Sequence, residues 1–184
     1  MRSLILICLL SPAVALADGP IKMCDPATVT INADVRDPLF NKLKSATSEL
    51  EAAPHARLLW QDFFKAPDPH AQTLLDRGAR RIQYLDLTAA IASLDELVAY
   101  CPGYAEGWNQ RAFAHFLSGS YDAALEDLDA ALEIEPRHFG ALSGKVLTLL
   151  KQGRQALAIG VLREALKVHP WMQERRYLPK GEKI

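Results

Sequence analysis

Three cysteines and five histidines are the residues of this chain with the widest chemical range, and their spacing narrows that range. The histidines are His55, His70, His115, His138 and His169. None stands in an H-x-x-x-H pair, and no two cysteines form C-x-x-C, the local spacings that bring ligands onto one metal ion. No glycine-rich phosphate loop and no strained nucleophile turn occurs. The sequence therefore predicts no metal, no cofactor and no catalytic residue. The one covalent reaction it suggests is oxidation of a pair of thiols.

That suggestion depends on compartment. Arg2 supplies a positive start, Leu4 to Leu10 are nearly all large and apolar, and Ala15-Leu16-Ala17 is a small-residue cleavage site. Residues 1–17 read as a signal peptide cleaved after Ala17, with an uncleaved anchor as the alternative. The apolar run is short of the ~20 residues of a membrane span, so no stable membrane insertion is expected after cleavage. Its brevity points to a bacterial periplasmic or secreted protein. Cys8 leaves with the leader, and Cys24 and Cys101 remain. An even pair in an oxidising compartment predicts one disulfide, with two free thiols as the alternative. The bridge would pin an extended arm, residues 18–36 with Thr28 to Ile31 at its centre, to the segment before Pro102.

The elements that position these groups follow from a period. Pro102, Pro136 and Pro170 recur at 34-residue intervals and divide 71–172 into blocks 71–104, 105–138 and 139–172. Ala90, Ala124 and Ala158 share the twentieth position, and Leu94, Leu128 and Leu162 the twenty-fourth. Leu97, Ala131 and Ala165 share the twenty-seventh. Each block carries two apolar stripes at helical spacing, parted by a short polar break. Gly119 and Gly153 suit those breaks because glycine ends helices in the left-handed region. Each proline stops the second helix. The alanines let helix axes approach to about 8–10 Å.

This skeleton, W-x-x-x-A…G-x-Y…A-x-x-x-L-x-x-A-L…P, closely resembles the tetratricopeptide repeat, most completely over 105–138. The resemblance implies an all-α fold: a right-handed stack of antiparallel helix pairs, about three repeats. The first block departs from it, with Gln83-Tyr84 at the turn and Leu97 where alanine is usual, and looser packing is expected there. Residues 37–70 form a degenerate pair, read as a terminal cap in preference to a fourth repeat. Asp37-Pro38 would start its first helix, with Phe40, Leu43 and Leu50 as the stripe, and Pro54 would open its second. Phe63 stands at the small twenty-seventh position. Residues 173–184 are a tail.

The resemblance also assigns faces. The first helix of each pair lines a concave groove, which implies Leu75, Ile82, Glu106, Asn109, Phe113, Phe116, Leu117, Ser143, Leu147 and Lys151 as groove residues. The groove is open, or else the cap or the tail folds over it. One subtype of the family grips an acidic peptide C-terminus with paired Lys and Asn. Here only Asn109 matches; Phe113 replaces a second Asn, and Gly140 and Ser143 stand where bases belong, so that clamp is excluded. Arg111 and Asp127 occupy positions that often form an ion pair between the two helices of a repeat. His115 is expected between helices.

With 21 basic and 22 acidic residues the net charge is −1, which argues against sequence-independent nucleic-acid binding. The expected role is binding: a periplasmic interaction module that takes a protein or peptide in its groove, with Phe113 and Phe116 as anchors and Asn109 orienting. An envelope scaffold or chaperone-like adaptor is the alternative, ahead of a small-molecule carrier or hydrolase.

Overall fold

A computed structural model describes residues 23–25 and 33–182. The leader expected at residues 1–17 and the Thr28 to Ile31 segment lie outside the described residues. Eight α-helices follow in order: α1 Ala33–Ser45, α2 Glu49–Phe63, α3 Pro69–Gln83, α4 Leu87–Tyr100, α5 Ala105–Leu117, α6 Tyr121–Ile134, α7 Phe139–Lys151 and α8 Gln155–Val168. A short 3-10 helix, Gln173–Tyr177, ends the described chain. The fold is an all-α solenoid of antiparallel pairs, α3–α4, α5–α6 and α7–α8, preceded by the hairpin α1–α2.

Local chemistry sets the helix ends. Asp68 caps α3, accepting from the backbone N–H of His70 and Ala71 at 2.9 and 2.8 Å, with Pro69 in the first turn. These hydrogen bonds, Ala71's foremost, hold the Asp68 carboxyl below its usual range. Gly119 and Gly153 turn the chain at φ 81° and 72°. In the first pair the same place is taken by Leu85 at φ 57°, a backbone conformation that L side chains enter at a cost.

The small positions lie where the period puts them. Ala90, Ala124, Ala131, Ala158 and Ala165 are all buried. The looser packing expected of the first pair is not found. Leu97 is buried, and Gly107 across the junction leaves room for it: a Cβ at Gly107 would sit 3.2 Å from the Leu97 side chain. Volume added on one helix is removed from its neighbour.

The hairpin differs more from expectation. Its break falls at 46–48, before Pro54 and not at it. Ser48 accepts from the Glu51 N–H, while Glu51 accepts from the N–H and hydroxyl of Thr47. These caps start α2 at Glu49. Both Pro38 and Pro54 therefore lie inside helices, and Leu50, expected in a stripe, is 87% exposed. The hairpin also docks far along the chain. Phe40, Leu43, Ala52, Leu59 and Phe63 share one core with Phe139, Leu142, Leu162 and Leu166 of the last pair. Arg36 reinforces this, bonding Asp62 within the hairpin and Glu135 before α7.

The disulfide joins Cys24 to Cys101, with Cα atoms 5.1 Å apart. The Cys24 N–H also donates to the Tyr100 carbonyl at 2.9 Å. Both cysteines belong to the core of the first pair, with Leu74, Leu94 and Tyr104.

Candidate binding cavity between the hairpin and the stack

Because α2 crosses to the last pair, it stands opposite α5 and α7 and closes part of the concave side. A cavity of about 720 Å³ remains. Ala56 and Trp60 of α2, with Phe64 just after it, form one wall; Asn109, Gln110 and Phe113 of α5 and Gly140, Ser143 and Leu147 of α7 form the others. His169, Trp171 and Glu174 from the segment after α8 complete it.

Aromatic packing fixes the α2 wall. The Trp60 ring meets Phe139 edge-on with centroids 5.0 Å apart. Its six-membered ring lies directly over Gly140, where any Cβ would collide with it. Phe63 stacks on His138 at 4.1 Å, and Tyr104 donates its hydroxyl to the Phe63 carbonyl at 2.7 Å.

Behind Asn109 and Gln110 lies a buried polar cluster. Glu106 accepts from the Asn109 amide at 3.1 Å and from the Gln110 amide at 2.6 Å. His138 Nε2 lies 2.8 Å from Glu106 Oε2, a close polar contact without an aligned hydrogen bond. His138 Nδ1 accepts from the Ala141 N–H and so caps α7. At the rim, Ser143 donates to Glu174 at 2.8 Å, and Arg175 bonds Glu49 while covering the Trp171 ring. Burial lowers the His169 pKa to about 4, against the opposing pull of Glu174. Its Nδ1 accepts from the Trp171 N–H.

Of the groove residues read from sequence, Asn109, Phe113, Ser143 and Leu147 come together in this cavity. Leu75 and Ile82 do not: both are buried in the core of the first pair, with Leu74 and Leu94. Glu106 is also buried. Phe116 leans on Tyr121 at 5.8 Å, outside the cavity. Leu117 and Lys151 are exposed and likewise do not line it. Arg111 holds Asp127 through two hydrogen bonds, 2.8 and 2.6 Å, and also reaches Asp95 and the face of Trp108. His115 sits against that pair, its Nε2 3.9 Å from Asp127.

Sequence reading missed Trp60, Phe64, Gln110, Trp171 and Glu174. One signal was available. A phenylalanine at the small twenty-seventh position, Phe63, is too large for the usual stacking, and it stacks on His138 instead. Among the described residues no three His, Cys, Asp or Glu side chains are placed to hold a metal ion, and no helix is long and apolar enough to cross a membrane.

Comparison with known proteins agrees with this architecture. The family profile described as Tetratricopeptide repeat matches residues 105–138. A TPR repeat-containing protein of Rhizobium etli is 36% identical over 137 residues, covering 73% of this chain and 66% of that protein. The TPR2B domain of yeast Sti1, solved as a complex with pHsp70, superimposes with a TM-score of 0.54 at 22% identity, over 58% of this chain and 89% of that one. The Sgt2 TPR domain from Aspergillus fumigatus gives 0.54 at 18% identity, over 65% and 91%. At these identities the two structures speak to the fold alone.

Proposed function

This chain belongs to the tetratricopeptide-repeat proteins, and from that premise we propose that it holds an extended segment of a protein partner in the cavity between α2, α5 and α7. One observation carries the reading. The hairpin narrows the concave side without filling it, leaving about 720 Å³ lined by aromatic rings and a few placed polar groups. Recognition sites have this composition: apolar walls supply affinity and sparse polar atoms supply orientation. Phe113, 45% exposed, is the anchor that an incoming side chain can reach. The role is binding, not catalysis.

The proposed setting is the bacterial periplasm or the exterior. The close approach of Cys24 and Cys101 supports it, because structural disulfides persist in oxidising compartments. Within that setting the protein serves as an adaptor that presents or shelters a client. Sti1, solved with pHsp70, offers a precedent of fold for such a role.

A photo-crosslinking residue placed at Phe113 tests the cavity, with the same residue at exposed Leu157 of α8 as control. A defined partner should be captured from position 113 alone, and Phe113→Ala should release it. Equal capture from both positions would sink the reading.

A further inference from the structure

If the cavity takes a peptide, as proposed above, its polar atoms decide which side chain enters. The deciding group is Glu106, whose side chain is fully buried behind Asn109 and Gln110. A carboxylate only accepts hydrogen bonds, so the amides of Asn109 and Gln110 must both turn their NH2 groups toward it. Their carbonyl oxygens, Asn109 Oδ1 and Gln110 Oε1, are thereby turned away from it. Neither accepts a hydrogen bond from a described residue, and neither is sealed from solvent. Both residues line the cavity.

Each amide dipole thus has its positive end on a carboxylate and presents its negative end outward. The buried charge is relayed into the cavity through two oriented acceptors. No Lys or Arg of the described residues contacts Glu106; its remaining contact is His138. Glu174 adds a carboxylate at the rim, where it accepts from the Ser143 hydroxyl. Of the cations nearby, Arg175 is engaged by Glu49 and Trp171, and Arg57 lines the α2 side of the cavity with its side chain exposed to solvent, opposite in position to the Asn109 and Gln110 amides of α5. The rings of Trp60, Phe113 and Phe139 line the same cavity, and aromatic rings attract a cation placed over their faces.

We propose that the cavity selects a peptide bearing a lysine or arginine side chain, whose N–H groups meet Asn109 Oδ1 and Gln110 Oε1 above the Glu106 charge. This preference is opposite in sign to that of the acidic-terminus clamp excluded above.

Fluorescence anisotropy with degenerate heptapeptide pools, acetylated and amidated, tests this on the oxidised protein. The central residue is fixed as Arg, Lys, norleucine or Glu. The Arg and Lys pools should bind about tenfold or more tighter than norleucine, and Glu weakest. Glu106→Gln should bring Arg and norleucine within about twofold of each other. Glu174→Gln, at the surface, should weaken the Arg pool about two- to threefold and leave norleucine unchanged, which preserves the test if the buried variant fails to fold. Equal binding of all pools, lost together in Phe113→Ala, would leave the peptide site standing and overturn the cation preference. Tightest binding of the Glu pool would also overturn it. Binding of no pool would remove both.

Discussion

The Tyr104 hydroxyl donates to the Phe63 carbonyl across 2.7 Å, joining the start of α5 to the last turn of α2. Both residues are buried. Burial pushes the phenol far above its ordinary pKa, so it remains a donor throughout the working pH range. Tyr104→Phe removes the donor and leaves the carbonyl without it. A loss of about 1–3 kcal/mol is expected in urea unfolding. A neutral result would mean that the hairpin is not held at this point.

Gly140 is where α7 makes room for the far end of the Trp60 indole. Gly140→Ala inserts a methyl into space the indole occupies. The backbone there is helical, so alanine is favoured locally and any loss must come from the collision. Destabilisation of about 1–3 kcal/mol is expected, with weakened peptide binding because Trp60 walls the cavity. Unchanged stability together with unchanged binding would contradict the placement of α2.

Leu85 gives a prediction of opposite sign. Its φ of 57° costs a residue with a Cβ about 1–2 kcal/mol, and its side chain is 71% exposed, so little burial is lost on removing it. Leu85→Gly relieves the strain, partly offset by glycine's greater freedom in the unfolded chain. A net gain of about 0.5–1 kcal/mol is expected from the shift in urea midpoint. A loss would place Leu85 in some packing role that its exposure does not reveal.

His169 makes stability depend on pH. Its folded pKa is lowered to about 4, below the ~6.5 of an unfolded histidine. Between those values the unfolded chain binds a proton that the folded chain does not. Stability contributed by the neutral ring is therefore complete above about pH 6.5 and falls away as the pH drops toward 4. His169→Asn keeps an acceptor for the Trp171 N–H and removes the titration. The variant should show a flatter stability profile between pH 7 and 5; an unchanged slope would assign the dependence to other groups.

The bridge between Cys24 and Cys101 encloses α1 to α4, so its loss should be felt through the hairpin as well as the first pair. Cys24→Ser with Cys101→Ser is expected to cost about 2–4 kcal/mol. Mass measurement of the unreduced wild type should show no free thiol at these two positions. Two alkylatable thiols would remove the bridge and the main support for an oxidising compartment.

The helix pairs were legible because their information is local and periodic. Alanine at 90, 124 and 158, glycine at 119 and 153 and proline at 102, 136 and 170 each mark a feature set by near neighbours in the chain. Even the first pair's irregular turn is readable afterwards as the same geometry imposed on Leu85. The cavity was legible only on its α5 and α7 sides, through Asn109, Phe113, Ser143 and Leu147. Its other wall depends on contacts across many tens of residues, Trp60 with Phe139 and Phe63 with His138, which no period encodes. Leu75 and Ile82 failed for a related reason. Face assignment by position assumes that every first helix looks onto the groove, whereas in α3 those positions are used for the core.

The hairpin's position fixes how many helix pairs lie between it and α7. A solenoid ordinarily lengthens by inserting whole repeats, since each contacts only its neighbours. Here α2 clasps α7 from outside that nearest-neighbour order. A further 34-residue unit between α6 and α7 would move Gly140 away from Trp60 by more than the 8–10 Å that separates packed helices, and the shared core of hairpin and last pair would open. Duplication, the common route by which such arrays diversify, is closed at that junction. The number of repeats between the hairpin and the α7–α8 pair is set by that one contact.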